Sequence, residues 1–329
     1  MARRRVTDMA TDRSMLTLSR DIQKGRDKRQ KKKSSKQSEV RQNRTLWGDA
    51  SRRLRKNKLA VFGFCWILFM VIVALSADFW VPAVLGSPTF VDTTMTATMS
   101  KTPPSLQHPF GTDSLGRDEM ARVIYGARVS LSIGVIAMSI SVLIGLVLGT
   151  TAAYFGGVWD SIIMRATDIF MSFPYILFAI TLLAALGPSF VNMFLAIGLI
   201  GWTSVARVIR GVILQVKEND YVSAARALGA GNLRIVLRHI LPNSIAPVVV
   251  YATMGIGSAI IAEAALSFLG LGIQPPTPSW GLMIADARQH MVIAPWLVIF
   301  PGLAITTTVL SLTLLGDGLR DAMDVKMTD

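Results

Sequence analysis

Cysteine is almost missing from this chain. Its 329 residues include one, Cys65, inside an apolar run. A single thiol forms no intrachain disulfide and no paired metal site, so it is expected to be a small apolar filler. Histidine is scarce too. His108, His239 and His290 fall on opposite sides of the layout derived below, which leaves no metal centre to expect. No G-x-x-x-x-G-K-[ST] phosphate loop and no G-x-S-x-G nucleophile turn occurs in the chain. The glycine-rich pieces "GLGI" and "GIGSA" carry no following lysine. The chain is therefore expected to be no enzyme, to bind no cofactor and to hydrolyse no ATP itself.

Charge is the other shortage. Asp, Glu, Lys and Arg make up 17% of the residues, against 51% apolar, well below the roughly 25% charged of soluble proteins. The net charge of +13 is local: residues 1–57 hold 19 Lys/Arg against 6 Asp/Glu, and the rest balances at 15 of each. Residues 1–45, with "KGRDKRQKKKSSK", read as a basic cytoplasmic tail, largely disordered, because they have too little apolar surface to fold. No aromatic residue interleaves the lysine run, as a base-stacking surface would require. The tail is expected to bind no nucleic acid and to sit near anionic membrane lipid.

Long apolar runs fill the remainder, which reads as a transmembrane domain over 46–329. Six runs have about the length needed to cross a bilayer: 59–77, 129–151, 169–186, 190–206, 244–262 and 292–316. All are expected to be helices, since open backbone polar groups are too costly in hydrocarbon. The first starts too far from the N-terminus for a cleavable signal peptide and is expected to be an uncleaved anchor. Placing the N-terminus in the cytoplasm puts 29 Lys/Arg inside and 5 outside, or 16 against 5 counting the tail only from residue 41. Both termini are then cytoplasmic, and so is the segment 207–243.

Two outer segments exceed simple linkers. In "QHPFGTDSLGRDEMARVIYGAR" (107–128), Thr112 or Asp113 is expected to cap an amphipathic interfacial helix. In "AALSFLGLGIQPPTPSWGLMIADARQH" (264–290), "PPTP" forbids a continuous helix, and an irregular cap is expected with Trp280 at headgroup level. Glu263 is a candidate for the substrate path because ionisable residues at such depth are functional by default; hydrogen bonding to the cap is the other reading. Asn192 is a second path candidate, or an interhelical hydrogen bond. Arg165 and Asp168 are expected to pair at i, i+3.

The segment "YVSAARALGAGNLRIVLRHILPN" (221–243) interrupts the apolar runs with three arginines, His239 and no acid. Asn219 and Asp220 are expected to cap a helix from Tyr221, with Ala224, Ala225 and Leu228 on one face. Gly229 allows a left-handed C-cap. Asn232 is expected to cap a second helix with Leu233, Val236, Leu237 and Ile240 as its apolar stripe, Arg234 and Arg238 beside it, and Pro242 at its end. From the residues alone, a docking knob and a hairpin lying on the inner leaflet are equally open.

At these residues the chain resembles the EAA loop of membrane subunits of ABC importers. Ala224, Ala225, Gly229, Leu241 and Pro242 match; the loop's usual Glu is Ser223 here and its usual Ile is His239. "RHILPN", with "HPFGTDSLGRDEMARVIYGARVSL" (108–131) and "EAALSFLGLGIQPPTPSWGLMIADAR" (263–288), is similar to the C-type subunit of the dipeptide and oligopeptide permease branch. The resemblance implies an all-α polytopic membrane protein of six transmembrane helices, the type I ABC importer permease fold (MetI-like), with cytoplasmic coupling helices. It implies a homologous permease subunit as partner, two ATP-binding subunits carrying ATP and Mg, and an extracytoplasmic substrate-binding protein. It places Tyr221, Ala224, Ala225, Gly229, His239, Leu241 and Pro242 at the ATPase contact, in a bacterial inner membrane. Peptides are the implied cargo. Nickel, glutathione or haem-like solutes stay open on the same fold. A stand-alone secondary transporter or channel would leave the hairpin unexplained and would call for inverted repeats, of which no convincing instance is found.

Overall fold

The computed structural model describes residues 46–85 and 99–323. The basic tail, the segment 86–98 and the last six residues lie outside the described residues, and with them the expectation of a disordered tail. The chain divides into two units, Met1–Arg52 and Arg53–Asp329. Of the first, only the start of helix α1 (Leu46–Leu54) is described. Everything that follows concerns the second.

Among the described residues the chain is helical, with no strand beyond an isolated bridge between Thr112 and Asp118. The long helices are α2 (Lys58–Val84), α3 (Glu119–Phe155), α6 (Phe190–Val216), α9 (Leu241–Phe268) and α11 (Trp296–Met323). All are long and apolar enough to cross a membrane. Shorter helices are α4 (Gly157–Ser172), α5 (Tyr175–Leu186), α7 (Asp220–Ala227), α8 (Asn232–Ile235) and α10 (Trp280–Ala287). Side-chain acceptors meet the free N–H groups at several of the helix starts. Asn57 Oδ1 accepts from Leu59 and Ala60 N at 3.2 Å, Ser189 Oγ from Asn192 N at 3.1 Å, and Ser279 Oγ from Leu282 N at 3.2 Å.

Several sequence expectations are corrected here. The second span is not preceded by a separate interfacial helix: α3 is continuous from Glu119, 37 residues long, or about 55 Å. It outreaches a hydrocarbon core of about 30 Å. Its cap is Asp118, which accepts from Ala121 N at 2.8 Å, not Thr112 or Asp113. Asp113 instead closes its own loop, accepting from Leu115 N and Arg117 N. The third span is broken. α4 and α5 meet at Phe173–Pro174 with a bend of 86°, because proline restricts the residue before it to extended backbone, and Phe173 has ψ 136°. The α4–α5 pair makes a sixth span if counted as one. Pro295 precedes α11 rather than lying inside it, while Pro301 is internal. Asp168 pairs not with Arg165 but with Arg207 of α6, at 2.8 Å. Cys65 is exposed on the surface of α2 rather than filling a core.

The bundle is organised around α3, which packs along α6 and also against α9; α11 packs between α9 and α2. Small residues permit the closest approach. Gly145 and Gly149 of α3 face Val205 and Ala206 of α6, where a Cβ on Gly149 would lie 2.6 Å from the Ala206 carbonyl oxygen. Their four-residue spacing puts both on one helix face, the small-xxx-small arrangement by which membrane helices bring backbones together. Asp160 on α4 is bidentate with Arg210 on α6, at 2.6 and 2.7 Å, and fixes α4 to the same helix.

Candidate functional site

At one end of the bundle the chain between α6 and α9 folds into an elbow. Asn219 precedes α7 without a side-chain capping bond. α7 ends at Gly229, whose φ of +81° reverses the chain, and Ala230 N donates to Ala225 O at 3.1 Å across the turn. A Cβ at Gly229 would meet nothing within 4 Å, so glycine is required there for its backbone and not for space. α8 begins at Asn232 with Gly231 as N-cap, and the Asn232 side chain is used elsewhere: its Oδ1 accepts from Tyr154 OH of α3 at 2.9 Å. The expected cap at Asn232 is thus replaced by a bond to the bundle.

Pro242 does not end the second helix. Residues Val236–Ile240 form a π turn that runs directly into α9, with Leu241 N donating to Val236 O, and Pro242 sits in the first turn of α9. Proline lacks the N–H that an α-helix would direct to residue 238, and its ring crowds that carbonyl. One widened turn absorbs both.

The elbow is bolted down by three fully buried residues, Val222, Ile235 and Ile240, packed in one cluster with Ile209 and Ile213 of α6 and Ala153 of α3. The expected stripe is therefore half wrong. Ile240 is buried, but Leu233 and Leu237 point outward, and Ile235 takes the inner place. The π turn changes which residues share a face, so straight α periodicity misassigns the stripe. Of the predicted contact residues, Tyr221, Ala224, Gly229 and Pro242 are exposed; Ala225, His239 and Leu241 are half-buried. Leu228, 88% exposed, extends the apolar outer surface. The result is a seated knob whose outer face mixes apolar residues (Leu228, Leu233, Leu237) with exposed arginines (Arg226, Arg234, Arg238).

Midway along the bundle lies a half-open cleft of about 710 Å³. Ser141 of α3, Phe173 and Pro174 at the α4–α5 kink, Ser204 of α6, and Tyr251 and Ser258 of α9 line it; no lining residue is charged. Such a wall offers hydroxyls and apolar surface without favouring either sign of charge. α6 reaches both sites: Gly201 and Ser204 border the cleft and Ile209 and Ile213 hold the elbow. The sequence reading missed the cleft residues, whose serines and tyrosines carry no distinctive spacing. The GxxxG spacing at Gly145 and Gly149 was the readable signal for the α3–α6 contact.

Neither path candidate borders the cleft. Asn192 donates to the carbonyl oxygens of Leu186 and Gly187, at 3.0 and 2.9 Å, and closes the turn between α5 and α6. Glu263 is fully buried near the opposite end of the bundle from the elbow. It accepts from Ser130 Oγ of α3 at 3.1 Å and Ser267 Oγ at 2.7 Å, and the Ser279 side chain completes the set. Trp280, expected at headgroup level, is also fully buried; its Nε1 donates to Val123 O at 2.9 Å. Arg122 bridges Asp113, at 3.3 Å, and Asp286, at 3.6 Å. His108 Nδ1 meets Asp118 Oδ2 at 2.9 Å. The two outer sequence segments, 108–131 and 263–288, are thus the two halves of one polar junction.

That junction makes a prediction. Glu263→Ala leaves the Ser130 and Ser267 hydroxyls without their acceptor and opens a void, and is expected to cost about 2–4 kcal/mol. Glu263→Gln keeps the volume and an acceptor and should cost about 1 kcal/mol or less. Thermal unfolding in detergent compares the two, and equal melting temperatures would contradict the assignment.

A bundle of long apolar helices, with an uncharged cleft at mid-depth and a seated two-helix elbow at one end, defines a multi-pass membrane component of transport type. The chain belongs to the family described as binding-protein-dependent transport system inner membrane component, which matches residues 141–329. The N-terminal TM domain of oligopeptide transport permease C matches residues 45–104. It is 43% identical over 281 residues to the dipeptide transport system permease protein DppC of Alkalihalophilus pseudofirmus, covering 85% of this chain and 90% of that protein. It is 44% identical over 284 residues to the glutathione transport system permease protein GsiD of Escherichia coli O157:H7, covering 86% and 92%. The inward-facing MetNI methionine ABC transporter shares the fold, with a TM-score of 0.51 at 18% identity over 62% of this chain and 97% of that one.

Proposed function

We propose that this chain is one membrane-spanning subunit of an ABC importer for small peptides. It acts with a homologous permease subunit, two ATP-binding subunits that carry ATP and Mg, and an extracytoplasmic binding protein. Both termini face the cytoplasm of a bacterial cell, and the chain binds no nucleic acid. The carrying observation is the mechanical continuity of α6, which holds the elbow through Ile209 and Ile213 and borders the cleft at Gly201 and Ser204. A displacement of the elbow by the ATPase moves a wall of the cleft. To invert an inward/outward equilibrium from 1:99 to 99:1, nucleotide must favour one state by about 5.5 kcal/mol, and the elbow is where that bias enters this chain.

The cleft supports the cargo. Peptides of a given length share a backbone and differ in side-chain charge, and an uncharged, hydroxyl-bearing wall suits that variety. The relatives named for dipeptide and glutathione transport point the same way, since glutathione is itself a peptide. Copurification from detergent should recover a second membrane subunit and ATPase chains with this one. Uptake by the reconstituted complex then separates the cargoes: a neutral dipeptide should be taken up and compete with glutathione. Uptake of glutathione alone would narrow the cargo, and recovery of this chain without any ATPase would refute the reading. A cleft variant, Ser258→Glu, is expected to slow an acidic dipeptide about tenfold relative to a basic one, a like charge in a low-dielectric wall being worth at least about 1.4 kcal/mol. Equal slowing of both peptides would remove Ser258 from the path.

A further inference from the structure

Apart from the cleft, the described residues form a groove of about 430 Å³ at the elbow end. One wall is the last turns of α3, with Leu146, Thr150 and Tyr154; the other is the elbow, with Leu233, Val236 and Leu237. No acidic residue lines it. It is not an isolated dent. Leu143 and Val147, four residues apart on one face of α3, are both exposed, and Val147 lines the groove, so an apolar stripe leads into it. Arg234 and Arg238, a turn apart, do not line it themselves, but each follows a lining leucine, Leu233 or Leu237, by one residue. Both arginines are exposed, and neither has an ion pair or side-chain hydrogen bond among the described residues.

We infer that this groove is a binding site for an anionic phospholipid, with one acyl chain lying along the α3 stripe at Leu143 and Val147 and the phosphate held by Arg234 and Arg238. The chemistry matches at each level. The stripe is apolar where a span lies in hydrocarbon. The Tyr154–Asn232 hydrogen bond ties the last turn of α3 to the elbow across the groove. Two exposed guanidiniums adjoin the groove wall, and arginine is suited to phosphate oxygens. A helix of a second membrane chain laid over the apolar stripe would leave the two arginines without a counter-charge.

The test uses the full-length chain in its purified complex, placed in nanodiscs of phosphatidylcholine. Each disc preparation carries a trace of phosphatidylglycerol or phosphatidylcholine bearing a photoactivatable acyl chain. The phosphatidylglycerol probe is expected to label peptides covering 146–155 and 232–241 in strong preference to the phosphatidylcholine probe. In the double variant Arg234→Gln, Arg238→Gln that preference should fall by roughly thirtyfold, two surface cations being removed, while labelling of exposed α2 residues such as Phe62 and Phe69 stays constant. Equal labelling of the groove by both probes in the wild type would overturn the proposal, and that comparison stands even if the variant does not fold. So would unchanged preference in a folded variant, or cross-linking of Val147 to another polypeptide in place of lipid.

Discussion

Gly229→Pro is expected to abolish transport while leaving the protein inserted and of normal abundance. Gly229 holds φ at +81°, and proline is locked near −65°. The turn between α7 and α8 cannot keep its path, and Gly229 N, which donates to Arg226 O at 3.0 Å, loses its hydrogen. The spans are untouched, because Val222, Ile235 and Ile240 seat the elbow from either side of the turn. The fault is confined to the outer knob, so in the proposed complex ATPase activity should persist without stimulation by loaded binding protein. Graded substitutions separate conformation from bulk. Gly229→Ala costs about 1–2 kcal/mol in a left-handed position, or about a tenfold loss of the native turn. Gly229→Asn should be milder, since asparagine tolerates that region better. Nothing lies within 4 Å of a Cβ there, so a ranking by side-chain size, with asparagine worse than alanine, would contradict the conformational account. Ala225→Arg gives an independent approach. Ala225 is half-buried in α7, and a long cation there should block docking without altering the turn.

The spans and the elbow were legible because their physics is local. Apolar runs of membrane length need no partner to be recognised, and Gly229 announces a helix end by its chemistry alone. What escaped was set by the neighbours. Phe173–Pro174 lies in a run whose composition suits a straight span, yet the chain turns by 86° there, and the fall of α4 onto α6 is decided by Asp160 meeting Arg210, 50 residues away. Leu233 and Leu237 look like core at helical spacing; the π turn before Pro242 shifts the face and buries Ile235 in their place. Glu263 is rare enough in an apolar run to invite a path role. Its serine partners come from α3 and from the loop before α10, a meeting that no one-dimensional pattern encodes.

The same distinction explains why the cleft is chemically bland while the outer junction is rich. Arg122, Asp113, Asp118 and Glu263 are buried and engaged with one another or with hydroxyls and a histidine, which fixes two chain segments in one arrangement. A path that must release what it admits cannot hold its cargo with buried charges of that kind. On the proposed transport reading, the ion pairs at the end hold the frame and the neutral hydroxyls at mid-depth are left to pass the solute.

The bundle itself should fail at Gly149. A Cβ there would lie 2.6 Å from the Ala206 carbonyl oxygen and 3.1 Å from its Cα, and both are backbone atoms that no rotamer change removes. Gly149→Leu must push α3 and α6 apart along their whole contact, undoing the approach made at Gly145 as well. Overpacking a close-packed core costs about 1–3 kcal/mol, and the backbone clash puts this variant at or above the top of that range. The expected result is loss of monodisperse protein in detergent and of uptake together, unlike the elbow variants, which keep the fold. Gly149→Ala is the milder form, and its partner is the test of cause. The obstruction is the backbone of Ala206, so Ala206→Gly frees no atom directly but lets that segment of α6 shift, and partial recovery of melting temperature in the double variant would show coupling between the two positions. Strict additivity of the two single changes, with Gly149→Leu melting like the wild type, would mean that α3 and α6 do not meet at this face, and the route from elbow to cleft along α6 would lose its support.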